Sequence, residues 1–171
     1  FITSTLQQEA NRKLGLSSRE SMRIAQTLYE EGLITYMRTD SPSLSQEALK
    51  AARECVKSLY GADYLPDQPK RYSSKDSGAQ EAHEAIRPTD ITKPAVDLKG
   101  ILDTDQYKLY DLIWKRALAS QMASADIDQT SADVVATDHT VHYRAVGSVI
   151  VFDGFLSLYQ EGKDHESEEE A

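Results

Sequence analysis

Cys55 is the single cysteine in 171 residues. It excludes an internal disulfide and a multi-cysteine zinc site, and it suits a reducing compartment. No apolar run approaches the roughly 18 residues that a membrane-spanning helix needs. The opening residues FITSTLQQEA lack the basic start and apolar core of a signal peptide. Positive charge is also scarce. Lys and Arg number 19 against 28 Asp and Glu, for a net charge of −9. Affinity for DNA comes largely from cations meeting phosphates, so this balance argues against a self-sufficient DNA-binding module. Residues 161–171 carry six acids against Lys163, net −5, which leaves −4 of the total for the rest of the chain. Any nucleic-acid site must therefore be local.

What is present reads as a folded domain with an appendage. Apolar residues make up 40% and charged residues 27%, an ordinary balance for a globular chain. Thr3 or Ser4 is placed to cap a first helix reaching about Lys13, with Gly15 as its stop. Ser18 precedes a second helix, Arg19 to about Glu31, whose Met22, Ala25, Leu28 and Tyr29 form an inward stripe; Gly32 ends it. Leu33 to Thr35 reads as a short strand. Ser45 caps a third helix, Gln46 to Tyr60, with Ala48, Leu49, Ala52, Val56 and Leu59 spaced for the core. Residues 62–80 read as a loop, long enough to be functional or mobile. Glu81 to Ile86 fits a short helical turn closed by Pro88. Asp103 or Thr104 caps the longest helix, to about Met122, with Lys108, Lys115 and Arg116 as a solvated face. The period then changes. Thr130 to Thr137 and Val141 to Phe152 favour strands joined through Asp138-His139-Thr140. Phe155 to Tyr159 is a third apolar segment. The fold class is thus a mainly α body followed by a small antiparallel β segment.

The chemistry concentrates in Gly32-Leu33-Ile34-Thr35-Tyr36-Met37-Arg38-Thr39-Asp40-Ser41. In extended backbone side chains alternate, so positions 36, 38 and 40 point the same way. One surface then carries a phenol, a guanidinium and a carboxylate. A phenol is a covalent nucleophile when activated. A guanidinium holds a phosphate through two parallel hydrogen bonds. Tyr36 attacking a phosphodiester clamped by Arg38, with Asp40 orienting the arginine, is one reading. A strand with a half-buried tyrosine and a surface ion pair is the other.

Three stretches together resemble the type IA DNA topoisomerases. GLITYMRTDS is similar to the active-site segment of that family. Phe1 to Ala10, FITSTLQQEA, resembles the segment upstream of the nucleophile. Glu81 to Asp90, EAHEAIRPTD, resembles the downstream motif with a phosphate-contacting histidine. They occur in the family's order and at compatible spacing. The resemblance implies that Tyr36 is the nucleophile and that Arg38 sits at the scissile phosphate. It implies that His83 contacts a phosphate, with Asp40 and Glu84 in support. Arg87 is either a further phosphate contact or the ion-pair partner of Glu84. His139, His142 and His165 have no motif context.

The implied reaction breaks one DNA strand through a 5′-phosphotyrosine link, passes a strand and reseals the break. Negative supercoils relax without ATP, and the partner is a single-stranded segment of that DNA. The implied cofactor is Mg²⁺, bound by a domain that this chain does not contain; Asp103-Thr104-Asp105 and Asp126-Ile127-Asp128 read as structural, the first as helix caps. The implied organisation is a helical tyrosine-bearing domain over 1–123, the second half of a β-rich hinge over 124–160, and a disordered acidic tail over 161–171. The chain then reads as an internal fragment, inactive alone, from a cytoplasmic enzyme of the bacterial nucleoid. Its exposed strands are expected to seek partners, including a second copy. The rival class is a non-catalytic helix-turn-helix DNA-binding module, with Arg19 and Arg23 as its phosphate contacts.

Overall fold

The computed structural model describes residues 1–73, 83–135 and 142–162. The central element is the most apolar helix, α4 (Thr104–Ala119), which buries Leu109, Ile113 and Leu118 completely. Around it pack α1 (Thr3–Leu14), α2 (Ser18–Glu30) and α3 (Gln46–Tyr60). α1 supplies Leu6 and Ala10, α2 supplies Ala25 and Leu28, and α3 supplies Ala52 and Val56 to one shared core. Side chains three or four apart lie on one helix face, so two apolar residues at such a spacing seat each helix.

Local chemistry sets the helix ends. α2 opens with a reciprocal box: Glu20 N–H donates to Ser17 Oγ (3.2 Å), and Ser17 N–H donates to Glu20 Oε2 (2.9 Å). The cap is thus Ser17, one residue before Ser18, and the helix starts at Ser18 rather than Arg19. Asp103 Oδ1 accepts from the amides of Asp105 (3.0 Å) and Gln106 (2.8 Å) at the head of α4. This is the predicted capping role for that acidic pair. α1 differs. Its cap position is Ile2, whose amide donates to Thr5 Oγ1 (3.0 Å), and the hydroxyl of Thr3 is used elsewhere. Gly15, at φ +68°, ends α1 in a left-handed conformation that suits glycine.

Several core assignments change. Tyr29 is 42% exposed and Leu59 is 57% exposed, while Ser21 and Ile24 take the inward positions on α2. Spacing alone cannot say where an apolar stripe stops at a helix end. α4 ends at Ala119 rather than near Met122. Arg116 is only partly solvated. Its guanidinium lies over the rings of Phe1 and Tyr159 and pairs with Glu161 at 2.7 Å.

Beyond α4, β1 (Asp126–Val135) and β2 (His142–Phe152) form an antiparallel pair, in register from Ile127 opposite Ile150 to Val135 opposite His142. The predicted Asp138-His139-Thr140 turn lies outside the described residues. Among the described residues the two strands pair only with each other. Val149, Val151 and Tyr143 are each more than 60% exposed. The hairpin base is fixed to the body where Gly154 crosses Ser124 at φ +49°; a Cβ there would lie 2.5 Å from the Ser124 carbonyl oxygen. Phe155 N–H donates to Ala123 O (2.9 Å), and Tyr64 Oη donates to Asp153 Oδ1 (2.7 Å).

Candidate active site

Residues 33–40 run between two other stretches and are fastened to both. On one side Ile34 forms a lone antiparallel bridge with Pro88. Thr35 N–H donates to Arg87 O (2.9 Å), and Thr89 N–H donates to Leu33 O (3.0 Å). The Thr35 hydroxyl donates to Ala85 O (2.7 Å) and accepts from Arg87 N–H (2.9 Å). The predicted Leu33–Thr35 strand is therefore this single bridge, because the amides that would extend a ladder are used elsewhere: Arg87 N–H goes to the Thr35 hydroxyl and Leu33 N–H goes to Leu28 O.

On the other side Thr3, the first residue of α1, grips residues 37–39. Its N–H donates to Thr39 O (2.9 Å). Its hydroxyl accepts from Thr39 N–H (2.9 Å) and lies 2.8 Å from Met37 O and 3.0 Å from Thr39 O. Backbone fixed on both flanks forces alternation. Over residues 36–40, Met37 and Thr39 are buried at 3% and 9%, while Tyr36, Arg38 and Asp40 face outward; Ile34, ahead of the alternation, is also buried, at 1%. Tyr36 is 45% exposed, and its ring meets that of Tyr29 edge-on, with centroids 5.3 Å apart and planes at 66°. Such pairing orients an aromatic ring without covering it.

Arg38 and Asp40 share an open groove of about 430 Å³ with His83, Ser4 and Gln7. Thus His83 and Arg38, 45 positions apart in sequence, are brought to one concavity at the head of α1. Tyr36 borders the groove through the chain rather than lining it. The expected pairing of Asp40 with Arg38 is not formed: among the described residues neither side chain has a hydrogen bond or an ion pair. Both remain available to a ligand.

Glu84 and Arg87 do something else. Arg87 Nη2 donates to Glu84 Oε2 at 2.6 Å, and Arg87 Nη1 donates to Pro88 O at 3.0 Å. Glu84 Oε1 also accepts from Ser45 N–H at 2.6 Å. Burial alone would raise the Glu84 pKa, but Arg87 and Ser45 outweigh it and hold the carboxyl below its usual range. Of the two roles considered for Arg87, the geometry shows the ion pair, at the far side of the 83–88 stretch from the groove. No helix forms over His83–Ile86; the remainder of the predicted turn, Glu81 and Ala82, lies outside the described residues.

Four participants escaped sequence reasoning: Thr3, Ser4, Gln7 and Tyr29. Thr3 read as a helix cap and Tyr29 as core. The usable signal was the threonine pattern, since Thr35 precedes Tyr36, Thr39 lies between Arg38 and Asp40, and each turns its hydroxyl to backbone. The helix-turn-helix reading fares less well. Arg23 opens onto a polar groove shared with Asp103 and Asp105, a poor place for a phosphate.

Comparison with known proteins gives the family. The family model described as DNA topoisomerase matches residues 1–171. DNA topoisomerase 1 of Xylella fastidiosa is 48% identical over 99% of the chain, which spans 22% of that relative. DNA topoisomerase 1 of Synechocystis is 54% identical over 96% of the chain, which spans 18% of it. The solved full-length topoisomerase I of Thermotoga maritima superposes with a TM-score of 0.80 at 36% identity, covering 99% of this chain and 28% of its own. The chain accordingly spans about a fifth of the length of the curated relatives it matches. It belongs to the type IA DNA topoisomerase family.

Proposed function

We propose that this chain is the nucleophile-bearing portion of a bacterial enzyme that cuts and reseals one strand of negatively supercoiled DNA. The observation that carries the reading is the doubly fastened segment that turns Tyr36, Arg38 and Asp40 outward beside His83. In the forward step Tyr36 Oη gives up its proton and attacks the scissile phosphorus. The bond from phosphorus to the 3′ oxygen breaks, and that oxygen takes a proton and leaves as a 3′-hydroxyl. The 5′-phosphate stays on Tyr36. One phosphodiester replaces another, so the reverse step reseals the strand without ATP. Arg38 and His83 supply donors and charge where negative charge builds at phosphorus. A free phenol ionises near pH 10, so activation from outside this chain is part of the mechanism.

Mg²⁺ is assigned to acidic residues of the remaining polypeptide. Among the described residues no group of three His, Cys, Asp or Glu side chains is arranged to hold a metal ion. Residues 1–123 form the tyrosine-bearing domain and the hairpin forms part of a hinge completed by strands from elsewhere in the polypeptide. The substrate is single-stranded DNA exposed by negative supercoiling, in the bacterial nucleoid. No described helix is long and apolar enough to cross a membrane. The isolated chain relaxes no DNA.

The test is covalent capture on single-stranded DNA labelled at its 3′ end, with the chain joined to the remaining domains. Label retained on the polypeptide after denaturation, and lost in Tyr36→Phe, supports the reading. Equal labelling of both places the nucleophile elsewhere.

A further inference from the structure

We infer that Thr3 is a positioning residue for Arg38 and Tyr36, an inference that rests on the reaction proposed above. Arg38 lies between the two residues that Thr3 grips. The Thr3 hydroxyl accepts from the amide of Thr39 and reaches the carbonyls of Met37 and Thr39, while its own amide donates to Thr39 O. Three of these contacts use one side-chain oxygen. Valine has the same shape and makes none of the three.

The position explains the need. Arg38 itself has no partner among the described residues, so nothing but its backbone fixes where its guanidinium enters the groove. Among the described residues Tyr36 is likewise held by the Tyr29 ring and its own backbone. The 85–89 stretch secures residues 33–35. Thr3 alone, among the described residues, secures the segment beyond the nucleophile to α1. Without its hydroxyl, residues 36–39 keep the Thr3 amide bond to Thr39 O and the buried Met37 side chain but lose the three contacts that hold the backbone on either side of Arg38, and the phenol and guanidinium share a less fixed geometry. Misplacement of about 1 Å in a reacting centre costs on the order of 100-fold in rate. Ser4 and Gln7, one and four residues further along α1, line the same groove. Thr3 thereby also fixes how α1 presents them to Arg38.

The experiment compares the parent with Thr3→Val and Thr3→Ser in the complete polypeptide. Single-turnover formation of the covalent adduct, binding of single-stranded DNA and thermal midpoint are measured together. The expected result is an adduct formed about 10- to 100-fold more slowly in Thr3→Val, with DNA affinity within about twofold. Thr3→Ser restores the rate, because the hydroxyl returns. Equal rates for parent and Thr3→Val overturn the inference, as does a Thr3→Ser variant as slow as valine. Thr3→Ala is read the same way if valine prevents folding. A parent that forms no adduct defeats the proposed reaction instead. Thr3 is then judged on the 171-residue chain, where Thr3→Val must speed hydrogen exchange at the Thr39 amide about tenfold and leave the Leu28 amide unchanged. Unchanged exchange at Thr39 overturns the inference in that case as well.

Discussion

Glu9 carries its carboxylate at a position only 5% exposed. The Tyr159 hydroxyl donates to it at 2.6 Å, the Gly162 amide donates to both oxygens at 3.1 Å, and Arg12 and Lys13 stand 3.7 and 3.8 Å away. Burial pushes its pKa up, but Tyr159, Gly162, Lys13 and Arg116 together outweigh that and hold it below the usual range. A depressed carboxyl contributes stability above its unfolded pKa and loses it as pH falls through the folded value. Glu9→Gln therefore lowers the thermal midpoint at neutral pH, by the equivalent of about 1–3 kcal/mol. The gap between variant and parent closes below about pH 4. A gap that persists unchanged at acid pH contradicts the linkage. Nothing in the sequence marks Glu9 as buried, because its partners lie about 150 residues away. Tyr36 and Arg38 were legible for the opposite reason: their chemistry and their alternation are local. Thr3 was half legible. Its place at a helix start was visible, but its use against Thr39 depends on the fold.

At the scale of elements, helices were legible wherever a capping residue and a four-residue apolar spacing agreed. Asp103, Ser45 and Gly15 are such places. The expected strand at Leu33–Thr35 failed because a ladder needs successive amides, and those of Arg87 and Leu33 are taken by the Thr35 hydroxyl and by Leu28 O. The expected Leu59 core contact failed because the final turn of α3 passes the edge of the core. Asp103 offers a clean test of the capping account. Asp103→Ala destabilises the chain by about 1 kcal/mol, whereas Asp103→Asn, which still caps, changes stability by a few tenths. Both leave adduct formation unchanged in the complete polypeptide. Loss of the adduct in either variant shows that this carboxylate serves the reaction.

The whole molecule is a helical body carrying a hairpin that it leaves uncovered. Val134, Val146, Val149, Ile150 and Val151 are all more than half exposed. A two-stranded ribbon with apolar side chains and open edges recruits further strands. The matched relatives are four to five times longer, which leaves ample chain to supply them. In the isolated 171-residue chain the same edges pair with a second copy, so sedimentation at rising concentration shows a dimer. Val149→Lys with Val151→Lys returns it to a monomer. A parent that stays monomeric at high concentration with the hairpin ordered contradicts this.

The central claim is that Tyr36 makes and breaks the bond to DNA. Its most direct test joins this chain to the metal-binding and remaining domains in one polypeptide and adds Mg²⁺ with a single-stranded oligonucleotide labelled at its 3′ end. After denaturation the account predicts label on the parent and none on Tyr36→Phe. Label on both variants, or on neither while the polypeptide is folded and binds DNA, contradicts it.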